Sequence, residues 1–166
     1  LCSERRKKEG FGGIFARHVE FLNDVVNKCG KTMVMYDDFY EFFPEHLEEC
    51  PKNVVFCHWI YDKYVSRWGH RGHFAQRIRK DLLREYSRLG IEAFAAGSLY
   101  FDYDNIRSLT EYAALAGSSG MCLTQWEMSG RGHGQFVPCL AAFGRYWKNP
   151  SRYTVRDYAR EGLSAV

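Results

Sequence analysis

Short apolar segments alternate with amphipathic segments along the chain, and this alternation constrains the fold more than any other feature. The apolar segments are strand-sized and uninterrupted, as expected for strands that are buried on both faces. The segments between them repeat apolar residues at helical spacing, for example Phe74, Ile78, Leu82, Tyr86 and Leu89. The pattern predicts an α/β fold in which parallel strands are covered by helices.

Glycine and proline mark the boundaries of four predicted strand–helix units. Gly30 and Gly90 each follow a helical pattern, as helix-ending glycines do, and Pro51 stops a short helix that begins after Pro44. The predicted strands, which are mainly apolar, are 31–36, 53–60, 91–96 and 121–126. The predicted helices are 15–29, 45–50, 74–89, 105–116, 135–147 and 154–162.

Four strand–helix units are half of the eight that form a (β/α)₈ TIM barrel, which usually takes about 250 residues. No predicted strand is followed by Gly-x-Gly-x-x-Gly, and this argues against a dinucleotide-binding Rossmann domain. The chain has 166 residues and begins with Leu1 rather than Met. We therefore expect residues 1–166 to be the C-terminal half of a single (β/α)₈ domain, a partial TIM barrel whose N-terminal half is absent.

Composition and charge argue against several classes of partner. The net charge is only +3 and the basic residues are scattered, so we expect no nucleic-acid partner. No apolar run approaches the ~20 residues that cross a bilayer, so we expect no membrane partner. The six cysteines form no Cys-x-x-Cys pair, and His58, His70 and His73 match no ligand spacing and are expected in loops. No metal site is predicted, and the compartment stays open.

Aromatic residues and carboxylates follow all four predicted strands. In a barrel the active site lies at the carboxyl ends of the strands, so these positions are the candidates. Aromatic rings stack on the apolar faces of sugars, while carboxylates and phenols pair with sugar hydroxyls. The alternative is that the aromatics belong to the core and the carboxylates cap helices, and for Asp38 a cap and a ligand contact are equally open. Together the four ends favour a carbohydrate pocket formed by Asp37, Asp38, Trp59, Tyr100, Asp102, Trp126 and Glu127.

Four short motifs at these strand ends resemble one known family. The segment 30–38 is similar to a fifth barrel strand that ends in Trp-Asp-Asp or Trp-Asp-Glu, with Tyr36 in place of the Trp, and 54–59 is similar to the sixth. Tyr100-Phe101-Asp102 is similar to a Tyr-Leu-Asp after the seventh strand, and Trp126-Glu127 to a Trp-x-Glu after the eighth, without its spacer. From about residue 15 to 147 the chain resembles glycoside hydrolase family 20, the β-N-acetylhexosaminidases.

The resemblance implies an enzyme that removes terminal N-acetylhexosamine by substrate-assisted, retaining catalysis. It implies that Tyr100 binds the acetamido group of the substrate. The catalytic Asp-Glu pair of the family belongs after the fourth strand, so we expect it upstream of Leu1 and expect the fragment alone to be inactive. No cofactor is implied, and the expected partners are a carbohydrate substrate and the absent N-terminal half of the barrel.

Two alternatives remain open at this point. Asp37 and Asp38 themselves could be the catalytic pair, as the adjacent carboxylates are in the related family 84 hydrolases. The chain could also derive from a non-catalytic, carbohydrate-binding barrel, because Tyr36 and Glu127 both depart from the family pattern.

Overall fold

The computed structural model describes residues 2–69, 81–98, 103–124, 126 and 136–148. Its helices are α1 (Cys2–Lys28, kinked at Gly10), α2 (Asp38–Phe42), α3 (Leu82–Leu89), α4 (Tyr103–Ala116) and α5 (Phe136–Lys148). Its strands are β1 (Val34–Tyr36), β2 (Val55–Trp59), β3 (Glu92–Ser98) and β4 (Gly120–Thr124). A single turn of 3₁₀-helix, Pro44–His46, lies where the helix 45–50 was predicted.

The four strands form one parallel sheet in the order β1-β2-β3-β4, with Val34 paired to Val55 in the first ladder. The prediction of an α/β fold with parallel strands and covering helices is confirmed. The prediction that the first strand is buried is wrong, because β1 lies at an edge of the sheet and Val34 and Tyr36 are 56% and 43% exposed. The partial barrel and the single (β/α)₈ domain stay predictions.

The predicted helix-ending glycines are found where the pattern placed them. Helix α3 ends before Gly90, which has a φ of 68° and donates its N–H to the carbonyls of Tyr86 and Ser87. A left-handed residue at this position is strained for any side chain with a Cβ, so glycine stops the helix without that cost. The predicted helix 154–162 and the first part of the predicted helix 74–89 lie outside the described residues.

The chain divides into two compact units, and the first comprises Leu1–His58 and His70–Phe94. Three fully buried aromatic rings form its centre, with the ring of Phe56 lying 5.1 Å from that of Tyr40 and 5.0 Å from that of Tyr86. These rings come from α2, β2 and α3, so aromatic packing joins the strand to both helices.

The second unit comprises Trp59–Gly69 and Ala95–Val166. Ile106 of α4 and Phe143 of α5 are buried against each other, and Leu123 and Trp147 pack on them. A Cβ added at Gly97 would lie 2.6 Å from the Cδ1 of Ile106, inside van der Waals contact. Glycine in β3 therefore lets helix α4 approach the strand closely, and this approach shapes the site described below.

Candidate functional site

A buried polar cluster in the first unit joins the end of β1 to β2 and α3. Asp37 directly follows β1, and the register that pairs Tyr36 with Cys57 brings it level with His58. The Oδ2 atom of Asp37 accepts a hydrogen bond from the Nδ1 of His58 at 2.6 Å and another from the hydroxyl of Tyr86 at 2.5 Å. All three side chains are at most 1% exposed, so these bonds form away from water.

Electrostatics make this cluster a buried ion pair. Burial lowers the pKa of His58, but the charge and hydrogen bond of Asp37, reinforced by Glu41 at 3.9 Å, outweigh it and raise the pKa above its ordinary 6.5. Burial, and then the charge of Asp37, raise the pKa of Tyr86 well above 10. Tyr86 therefore stays protonated, and its hydroxyl donates a hydrogen bond to the Asp37 carboxylate. His58 carries a positive charge at and somewhat above pH 6.5.

Asp37, which was predicted to be a sugar ligand, is completely buried. Its Oδ2 atom is occupied by the hydrogen bonds from His58 and Tyr86, and its role as a sugar ligand stays a prediction. Asp38 is exposed and is the first residue of α2, and Asp37 stands at the position before the helix, where its side chain makes no capping hydrogen bond. A negative charge in the first turn of a helix is nevertheless favourable.

The stability of the protein should fall as the pH rises through the raised pKa of His58. The folded state binds a proton at His58 that the unfolded chain has already released near pH 6.5, so each step upward in pH favours unfolding. The groups that set this pKa are Asp37, Glu41 and Asp81. The urea midpoint of unfolding should decline as the pH is raised from about 6 to about 9. In His58→Gln the midpoint should decline less over the same range, because the His58 proton no longer contributes. An equal slope in His58→Gln would contradict the assignment.

A partly exposed aromatic patch in the second unit consists of Trp59, Tyr61 and Trp126. Trp59 is the last residue of β2, and Trp126 lies two residues after the end of β4. The ring of Tyr61 lies 4.9 Å from that of Trp59 and 6.5 Å from that of Trp126. Trp126 is 59% exposed, so the patch presents a large apolar ring to solvent beside strand ends.

Hydrogen bonds orient the patch. The indole N–H of Trp126 donates to the hydroxyl of Tyr61 at 2.8 Å. The hydroxyl of Thr124 lies 2.9 Å from that of Tyr61 and 3.0 Å from the carbonyl of Gly97. Because a carbonyl only accepts, the Thr124 proton goes to Gly97, and the proton between the two hydroxyls then comes from Tyr61. Tyr61 thus accepts from one neighbour and donates to another, which fixes its orientation.

The structure places the predicted site residues in different groups. Trp59 and Trp126 come together through Tyr61, whereas Asp37 belongs to the buried cluster of the first unit. The predictions for Tyr100, Asp102 and Glu127 lie outside the described residues.

Three residues of these groups were missed by the sequence reasoning. Tyr61 follows Trp59 by two residues, and this spacing at a strand end was the signal that could have found it. His58 was expected in a loop but lies in β2 and is buried, as its position inside the predicted strand 53–60 already indicated. Tyr86 was assigned only to an apolar helix face, and no local signal links it to Asp37, which is 49 residues away.

Comparisons of the chain with protein-family models, with curated proteins and with solved structures found no match. Within the described parts of the chain, no three His, Cys, Asp or Glu side chains are grouped so that they could hold a metal ion. The described helices also include none with the length and apolar character needed to span a membrane.

Proposed function

We propose that the chain is part of a glycoside hydrolase that removes terminal N-acetylhexosamine residues by substrate-assisted, retaining catalysis. The observation that carries this proposal is the aromatic patch. Trp59 and Trp126 lie at the carboxyl ends of β2 and β4, and Tyr61 holds Trp126 through a hydrogen bond. An exposed, oriented aromatic surface at this end of parallel strands suits the apolar face of a pyranose ring.

The order of the strands supports a partial (β/α)₈ barrel as the setting of this site. In doubly wound sheets the strand order reverses at a switch point, whereas in a barrel each strand joins beside the previous one. The order β1-β2-β3-β4 follows the barrel rule. Val34 and Tyr36 lie on one face of edge strand β1, and their exposure supports further elements of an N-terminal half that cover this edge and face.

The proposed chemistry uses the acetamido group of the substrate as the nucleophile. Its carbonyl oxygen forms a bond to the anomeric carbon as the glycosidic bond breaks, and an acidic residue gives its proton to the leaving oxygen. Water then opens the cyclic intermediate with the same residue acting as base, and two inversions give net retention. By the family resemblance the acid lies upstream of Leu1. In this chain the aromatic patch would bind the ring, and Tyr100 would hold the acetamido group.

The buried cluster bears on the two alternatives. A catalytic pair of Asp37 and Asp38 requires both carboxylates to reach the substrate, and the complete burial of Asp37 argues against it. A non-catalytic carbohydrate-binding barrel remains the second candidate, because an oriented aromatic patch is also what a sugar-binding protein needs.

Two aryl substrates test the proposal on the full-length protein that contains the chain. An aryl N-acetyl-β-glucosaminide should be hydrolysed. The matched aryl β-glucoside should be hydrolysed at most at about one hundredth of that rate, because it lacks the intramolecular nucleophile. Equal rates on both substrates would contradict substrate assistance. If neither substrate is hydrolysed, but the protein binds N-acetylglucosamine and Trp126→Ala abolishes that binding, the chain belongs to a carbohydrate-binding protein instead.

A further inference from the structure

The side-chain amide of Asn105 makes three hydrogen bonds around the segment that carries Tyr61. Asn105 is the third residue of α4 and is 0% exposed. Its Nδ2 donates to the carbonyl of Ile60 at 2.9 Å and to that of Asp62 at 2.6 Å. Its Oδ1 accepts from the backbone N–H of Ser98 at 3.2 Å. Both amide protons and the amide oxygen are therefore used, and Tyr61 lies between the two bound carbonyls.

Further contacts hold the same segment against α4 and β3. The N–H of Ile60 donates to the carbonyl of Ala96 at 2.9 Å, and the N–H of Val65 donates to the hydroxyl of Ser108 at 2.9 Å. Ser108 lies on α4, three residues after Asn105. A Cβ at position 97 would lie 3.0 Å from the Asn105 Oδ1, so Gly97 provides the space in which this amide sits.

We propose that Asn105 is a positioning residue for the aromatic patch, and that it acts through the segment 60–62 to hold Tyr61 ready for a sugar ring. The inference about sugar rests on the proposed function. The amide is chemically specific here, because an Asp in its place has no proton for the carbonyls of Ile60 and Asp62 and presents a negative charge to them. Preorganisation of a binding surface increases affinity by removing the ordering step from binding.

The first test uses hydrogen exchange of the Trp126 indole N–H, which reports its bond to Tyr61 without any sugar. In the full-length protein, Asn105→Asp should speed this exchange about tenfold, because the released segment opens more often. Ser108→Ala, a milder change to the same segment, should act in the same direction but less strongly.

Ser118→Ala is the matched control. The Ser118 hydroxyl also bonds the backbone of the second unit, accepting from the N–H of Ala95 in the middle of β3 and donating to the carbonyl of Gly120 at the start of β4. Its loss should lower the melting temperature but leave the Trp126 exchange rate unchanged within about twofold. Equal acceleration in Ser118→Ala and Asn105→Asp would overturn the positioning role.

The second test measures the affinity for N-acetylglucosamine by tryptophan fluorescence. Asn105→Asp should weaken binding about tenfold, and Ser118→Ala should not change it. Absence of binding in the wild-type protein would overturn the proposed function, whereas unchanged affinity in Asn105→Asp beside a wild type that binds would overturn this inference. The two failures are therefore distinguishable.

Discussion

Replacing Asp37 by Asn should lower the free energy of unfolding by about 3–5 kcal/mol at pH values where His58 is protonated. The substitution leaves the His58 cation buried without its nearest counter-charge, and it weakens the acceptor of the Tyr86 hydroxyl. Glu41 at 3.9 Å is too distant to replace a 2.6 Å charge-assisted bond. The loss should be smaller at higher pH, because His58 can then avoid the penalty by releasing its proton.

Asp38→Asn provides a control one residue away with the same chemical change. Asp38 is exposed at the start of α2, and a charge near a helix N-terminus contributes about 0.3–1 kcal/mol, so its loss should cost less than the loss of the buried Asp37 charge. Urea unfolding of both variants measures the difference. A loss in Asp37→Asn no larger than that in Asp38→Asn would contradict a buried ion pair. Adding His58→Gln to Asp37→Asn removes the stranded cation, so the double variant should lose less than the sum of the two single losses.

The fold was predictable to the extent that local pattern determines it. Uninterrupted apolar segments indicated the four strands, and Gly30 and Gly90 indicated two helix ends, because these signals act through near neighbours in the chain. The exposure of Val34 and Tyr36 was not predictable. Their apolar pattern is the same whether β1 has one neighbouring strand or two. Whether β1 is an edge strand depends on the order of the strands in the sheet, which the local sequence does not specify.

The site was predictable in part for the same reason. Trp59 and Trp126 could be assigned to strand ends from sequence, and the two-residue spacing of Trp59 and Tyr61 could have added the residue that joins them. The burial of Asp37 could not be found in this way. Its partners are 21 and 49 residues away, and they meet it only through the register of β1 with β2 and the packing of α3.

The Tyr100→Phe variant of the full-length protein should hydrolyse an aryl N-acetyl-β-glucosaminide with a kcat about 100-fold below that of the wild type, with a smaller change in KM. The expectation rests on the resemblance of Tyr100-Phe101-Asp102 to the family motif whose Tyr binds the acetamido group. In substrate assistance that group is the nucleophile, so its orientation matters most as the new bond to the anomeric carbon forms. Removal of one hydroxyl should therefore affect the reaction step more than binding.

Tyr64→Phe makes the same chemical change at a tyrosine that is 63% exposed and outside the aromatic patch, and it should leave both constants unchanged. Equal melting temperatures of the two variants would exclude a general loss of folding as the cause of the lower kcat. A Tyr100→Phe enzyme with wild-type kcat would remove Tyr100 from the mechanism. A KM that rises at unchanged kcat would instead assign its hydroxyl to ordinary substrate binding, because an interaction of equal strength in the ground state and the transition state does not alter kcat.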